Sequence, residues 1–210
     1  MDAITAGLFS ATEFRRRAAL SKSLGKDGLY DDMRRNPDAY QEIAVDQLRG
    51  AAVLVPIVDH GSEATVLLTK RNEGLRAHAG QVAFPGGRID PGDSSVEDAA
   101  MREAVEEIGL ERRFVEPIAR LPEYYAPSGF LITPVLSIVT PGFRLRINPD
   151  EVEAAFEVPL RFLMDPANHV RDSRVWNEKR RFFYRMPYQQ WMIWGITAGI
   201  IHGMYERLYA

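Results

Sequence analysis

Apolar residues recur along the chain with two different periods. Residues 51–58 form a short β-branched run, residues 59–63 carry turn chemistry, and residues 64–69 form a second apolar run. This pattern predicts a β-hairpin, with Pro56 in its first strand pointing to an edge position or a bulge. Strand-like runs follow at 114–121 and 130–139, then a charged loop at 148–153 and a basic-aromatic hairpin around 174–186. Helical spacing governs 95–108, where Val96, Ala100, Ala104 with Val105, and Ile108 define a core face. Ser94 and Glu97 have the spacing of a capping box at its start, and Gly109 supplies the stop. A last helix is predicted over 189–208. Residues 80–93, rich in Gly, Pro and Asp, are predicted to hold no regular element.

Residues 10–50 show loose helical spacing (Phe14, Ala18, Leu24), broken by Gly25, Gly28 and the Asn36–Pro37 pair. The chain therefore reads as a partly helical lead-in over 1–48, packed on one α/β (α+β) domain over 49–210. No internal repeat or break in composition marks a further domain. A hydrophobic fraction of 46% and a charged fraction of 26% are ordinary globular values. The absence of cysteine excludes disulfides, a thiolate nucleophile and a cysteine-ligated zinc site. A net charge of −3 gives no overall drive toward nucleic acid or anionic lipid. Residues 1–4 do not begin a secretion signal, the apolar stretch 191–204 is too short to span a bilayer, and 208–210 do not spell a peroxisomal address. The expected location is cytoplasmic.

The chemistry concentrates in residues 102–109. Glu103 and Glu107 are four apart on the predicted helix and Glu106 sits beside them, so three carboxylates crowd one turn. A solvated acidic face is one reading. The other is a cation site, because the cluster lies on the last helical turn, where the dipole disfavours anions, and follows a Gly-Gly loop. Hard oxygen ligands select Mg²⁺ or Mn²⁺.

Gly87, Asp93, Arg102, Glu103, Glu106, Glu107, Gly109 and Leu110 together resemble the Nudix box. Asp93 stands where the box has Glu, and eight residues rather than seven separate it from Arg102. Upstream, residues 67–71, Arg76, His78, Gly80, Gln81 and 84–87 resemble the additional signature of the coenzyme A pyrophosphatase branch, with Asn72 a departure from it. Residues 151–160 and 194–201 resemble the same branch.

The resemblance implies a Nudix fold, a mixed β-sheet sandwiched between helices, over 49–210. It implies an enzyme cleaving the pyrophosphate of coenzyme A or acyl-CoA, giving 3′,5′-ADP and (acyl-)4′-phosphopantetheine. Carried onto this chain, it makes Glu103, Glu106 and Glu107 ligands of Mg²⁺ or Mn²⁺, with a backbone carbonyl of Gly86 or Gly87 as a further one. Arg102 would orient the carboxylates, the general base would be either a box Glu or one from a later loop, Glu151 or Glu153, and Arg71, Arg76, His78 and Gln81 would face the substrate. The alternatives are a Nudix hydrolase of another nucleoside diphosphate derivative (NADH, ADP-ribose, capped RNA) and a non-catalytic nucleotide-binding regulator. The expected partner is a small-molecule substrate, with a homodimer the one assembly considered and neither nucleic acid nor membrane expected.

Two further patterns have competing readings. Arg171, Arg174, Trp176, Arg180, Arg181, Phe182, Phe183 and Arg185 interleave base and ring as single-strand nucleic-acid surfaces do, but ordinary hairpin alternation in an acidic chain favours an exposed strand pair. Gly195, Gly199 and Gly203 recur every four residues, which favours close packing of the last helix on the domain over a dimer seam.

Overall fold

The longest pairing joins β1 (Arg49–Asp59) and β7 (Phe130–Val139), which run parallel in unbroken register from Arg49↔Phe130 to Val58↔Val139. Both strands read as nearly continuous apolar runs because both faces of the sheet are covered. They are the centre of a computed structural model that describes residues 7–21, 36–37, 48–75, 77–126, 129–176 and 178–210. The expected hairpin pairs β1 with β2 (Ala64–Arg71) through Ile57↔Val66 and Asp59↔Ala64. The main sheet continues through β3 (Val82–Ala83) beyond β2 and β5 (Val115–Arg120) beyond β7. Short strands β4 (Gly86–Arg88) and β6 (Tyr124–Ala126) pair with β1 and β7, and β8 (Val152–Pro159) pairs with β2.

Helices cover both faces. Alternate residues of β1 divide between them: Ala52, Leu54 and Val58 meet Ala99, Ala100, Ala104 and Ile108 of α2 (Val96–Ile108), whereas Ala51, Val55 and Ile57 face the larger core. That larger core takes Phe14 from α1 (Ala11–Ser21) and Ile200, Ile201 and Met204 from the last helix. Two short helical turns, α3 (Leu160–Leu163) and a 3₁₀ turn at 166–168, lead to a three-stranded antiparallel sheet. Its strands are β9 (Val170–Trp176), β10 (Lys179–Tyr188) and β11 (Trp191–Trp194), and α4 (Gly195–Leu208) closes the fold.

Several expectations are corrected. Pro56 lies in a central strand rather than at an edge. It is tolerated because the ladder to β2 begins at Ile57 and that to β4 ends at Val53, so its missing N–H falls in the gap between them. Residues 80–93 do carry regular pairing, in β3 and β4. The predicted helix over 189–208 begins only at Gly195; Trp191–Trp194 is strand, paired in register with Arg185–Tyr188, as its aromatic content favours. The cap of α2 is shifted by one: Ser95 accepts from the Asp98 N–H, and Asp98 accepts from the N–H of Ser94, leaving Glu97 to pair with Arg120. Val105 is exposed, and the buried position on that turn belongs instead to Glu107. Leu24, Gly25 and Gly28 lie outside the described residues, as does most of the lead-in.

Candidate active site

Glu107 is 2% exposed, which is unusual for a carboxylate. It occupies the last turn of α2, and two elements of the sheet reach it. The Arg71 guanidinium at the end of β2 donates to Oε1 at 3.2 Å, and the Gly86 N–H at the start of β4 donates to Oε2 at 3.2 Å. Desolvation pushes its carboxyl up to about 7; the charges of Glu103 and Glu151 add to that shift, while Arg71 and the Gly86 N–H oppose it. Glu103, one turn earlier, is also held above the usual carboxylate range. Burial is the main cause, opposed by Arg102 and reinforced by Glu106 and Glu151.

Arg102 organises the other half of the site. Its Nη1 donates to Glu103 Oε1 at 3.0 Å and to Glu106 Oε2 at 2.9 Å. Its Nε and Nη2 reach the two Asp93 oxygens at 2.9 and 3.0 Å, and Nη2 also donates to the Arg88 carbonyl at 3.0 Å. Asp93 therefore spans the lengthened loop as the partner of Arg102, and that contact, with the Asp90 N–H, holds its carboxyl below the usual range. Glu106 is half exposed.

Among the described residues no three carboxylates or imidazoles converge on one point as they stand. The donor set nevertheless fits a hard divalent cation: Glu103 and Glu107 are desolvated, the charge of Glu103 raises Glu107, and Glu151 raises both, so a cation would relieve what the protein leaves uncompensated. Gly87 supports the fit, since its bare Cα leaves the space that the Glu103 carboxylate fills.

The two candidate bases separate. Glu151 acts electrostatically on both buried carboxylates and accepts from the Asn148 side chain at 3.2 Å. Glu153 is exposed and engaged by Lys70 at 2.8 Å. Beside the carboxylates lies a cavity of about 240 Å³ into which Arg71, His78, Gln81, Gly86 and Gly87 all face. His78 takes a left-handed backbone conformation, φ 56°, and its Nδ1 meets Gln81 Oε1 at 3.0 Å. Arg76 lies outside the described residues. The far wall was not foreseen as part of a site: Phe130 and Ile132 from β7, and Ile196, Thr197 and Ile200 from α4. Thr197 fastens that wall by donating to the Val82 carbonyl at 2.9 Å. The residues from α4 fall within the 194–201 segment that carried a resemblance, but apolar side chains announce no chemistry in a sequence.

The NUDIX domain family matches residues 48–184. A protein of Photorhabdus laumondii, described as an uncharacterized Nudix hydrolase NudL, is 43% identical over 165 residues, covering 78% of this chain and 87% of the relative. The Escherichia coli O1:K1 protein of the same description is 44% identical over 154 residues, covering 73% and 79%. Among solved structures, the NUDIX domain of Shewanella oneidensis NrtR complexed with ADP ribose aligns over 85% of this chain and 98% of its own, with a TM-score of 0.48 and 18% identity. DR0079 of Deinococcus radiodurans aligns over 77% and 83%, with a TM-score of 0.49 and 14% identity. With a buried, cross-braced glutamate pair on a capped helix and a family match across most of its length, the chain belongs to the Nudix hydrolase family.

Proposed function

We propose that the protein is a metal-dependent pyrophosphatase that hydrolyses coenzyme A or acyl-CoA to 3′,5′-ADP and (acyl-)4′-phosphopantetheine. The observation that carries this reading is the convergence of Arg71, His78 and Gln81, from the stretch resembling the coenzyme A branch, on one cavity with Gly86 and Gly87. Glu103, Glu106 and Glu107, with a carbonyl of Gly86 or Gly87, would hold Mg²⁺ or Mn²⁺. Such a cation, when bound, neutralises pyrophosphate charge and lowers the pKa of bound water.

The chain's own groups do the rest. Arg102 fixes the directions of Glu103 and Glu106 through charge-assisted bonds to both. Arg71, which bonds Glu107 and lines the cavity, would serve a substrate phosphate as its second acceptor. Glu151 is the better placed of the two later carboxylates to take the proton of the attacking water, since Glu153 is held by Lys70. Water adds across one P–O bond of the diphosphate bridge, leaving one of the two bridge phosphoryl groups on each product, so that 3′,5′-ADP keeps its 3′-phosphate as well.

The test is turnover of coenzyme A, acetyl-CoA, dephospho-coenzyme A, NADH and ADP-ribose with Mg²⁺ and with Mn²⁺, products identified by mass. Release of 3′,5′-ADP as the leading reaction, abolished by chelation and restored by metal, is expected. A clear preference for NADH or ADP-ribose would overturn the coenzyme A assignment, and no turnover of any substrate would favour the regulator reading.

A further inference from the structure

The basic-aromatic stretch finds no use in the hydrolytic site. Register divides its side chains between two faces of the β9–β10–β11 sheet. The inner face carries Tyr184, Met186 and Ile193, the last two fully buried in the main core. Arg174 and Arg181 are directly opposed across the strand pair, so both belong to the outer face, together with Lys179, Phe183 and Arg185 of β10 and Trp194 of β11.

Directly opposed like charges lie close enough to repel, with Cβ atoms roughly 5 Å apart, and destabilise the pair. The chain does not lack acids to relieve this, with 29 Asp and Glu against 26 Lys and Arg. Elsewhere arginines are paired: Arg15 with Glu116, Arg112 with Asp98, Arg120 with Glu97. On the outer face Arg185 takes Asp172 at 2.8 Å. Neither Arg174, Arg181 nor Lys179 has an acceptor among the described residues, and Arg181 Nε is buried without a hydrogen-bond partner. Two opposed guanidinium groups that no carboxylate of the described residues engages are open to an acceptor from outside, and phosphate oxygens suit a pair of guanidinium forks. Beside this clamp on the same face, Phe183 and Trp194 meet edge to face, with centroids 5.6 Å apart and ring planes at 62°.

From this juxtaposition we propose that the outer face of β9–β10–β11 binds single-stranded nucleic acid, Arg174 and Arg181 clamping a backbone phosphate and the Phe183–Trp194 pair offering a ring on which a base stacks. The contact is weak, sequence-tolerant and independent of the pyrophosphatase reaction.

The probe is a fluorescein-labelled oligouridylate of about 12 nucleotides, followed by anisotropy at low salt, with inorganic polyphosphate of similar charge as competitor. Charge reversal by Arg174→Glu or Arg181→Glu should weaken binding about tenfold or more each, with the salt dependence of affinity flattened. Arg180→Glu, the same charge change one residue away on the inner-face register, should cost less than about threefold if phosphate contact rather than net charge governs binding. Phe183→Leu, which keeps an apolar side chain but removes the ring, should weaken oligouridylate and leave polyphosphate competition unchanged. Pyrophosphatase turnover should be the same in all four variants. No binding, equal effects of Arg180→Glu and Arg181→Glu, or indifference to Phe183→Leu would each overturn the proposal, the last reducing the face to an unspecific anion patch.

Discussion

The adjacent glycines of β4 offer a test in which one methyl group is added at two neighbouring positions with opposite expected consequences. At Gly87 an added Cβ would lie 2.6 Å from the Cδ, Oε1 and Oε2 of Glu103, the flexible end of a side chain. At Gly86 it would lie 2.4 Å from the Ala52 carbonyl oxygen and 2.6 Å from the Val53 Cα, the backbone of the central strand. In Gly87→Ala the Glu103 carboxylate retreats by about 0.8 Å to regain ordinary contact, and a displacement of that order in a reacting constellation lowers turnover roughly 100-fold. The fold tolerates it: Ala in place of Gly gains about 0.4–1 kcal/mol through the unfolded chain, so the melting temperature should stay within about 3 °C of the parent. In Gly86→Ala neither partner can swing away. The strand pair must part, at a cost of about 1–3 kcal/mol and a melting temperature lower by roughly 3–10 °C, and the N–H that reaches Glu107 moves with it. Turnover of a pyrophosphate substrate under saturating Mg²⁺, with thermal melts of both variants, separates the two. Gly87→Ala with activity within threefold of the parent would refute the claim that the position of Glu103 governs the reaction.

Glu107→Gln keeps the volume and the acceptor for the Gly86 N–H but removes the charge; turnover should fall roughly 1,000-fold with the near-UV circular dichroism unchanged, a loss of several kcal/mol of transition-state stabilisation. Arg71→Ala should lower kcat/KM roughly 10- to 150-fold. If its phosphate is the 3′-phosphate, the loss appears on coenzyme A and hardly on dephospho-coenzyme A; equal losses on both would assign Arg71 to the diphosphate, and no loss would remove it from the substrate. In chelator, stability should depend on pH through Glu107. Its folded value of about 7 lies above the ordinary 4.5, so the stability it contributes is complete below about pH 4.5 and is lost as pH rises through 7. Thermal melts across that window should show the decline in the parent and a flatter profile in Glu107→Gln; parallel profiles would count against the burial of that charge.

Much of this was legible because local chemistry fixed it. The β1–β2 hairpin, the 130–139 strand and the box helix follow from short apolar runs, turn residues, helical spacing and the Gly109 stop, and the box residues are recognisable because several charged types at fixed spacing rarely coincide by chance. What escaped depended on partners distant in sequence. Trp191–Trp194 is strand because Arg185–Tyr188 lies beside it, and β8, half-buried and without clean alternation, is strand because β2 offers an edge. The burial of Glu107 and the exposure of Val105 reverse their hydrophobicities, which no periodicity argument anticipates at a functional turn. Of the three α4 glycines, only Gly199 touches a neighbour closely, its Cα facing the Tyr124 ring; Gly195 instead supplies the left-handed turn that starts the helix.

The far wall of the cavity has a consequence for how the enzyme matures. Ile196, Thr197 and Ile200 leave the ribosome about 90 residues after the box helix is complete, an interval of roughly 5–20 s at ordinary elongation rates. During that interval the nascent chain can already assemble β1, β2, β4, α2 and β7 and present its glutamates, while the place where a substrate would rest lacks one side. Docking of α4 is then the event that walls the cavity beside the glutamates, and the Thr197 hydrogen bond to Val82 is its latch.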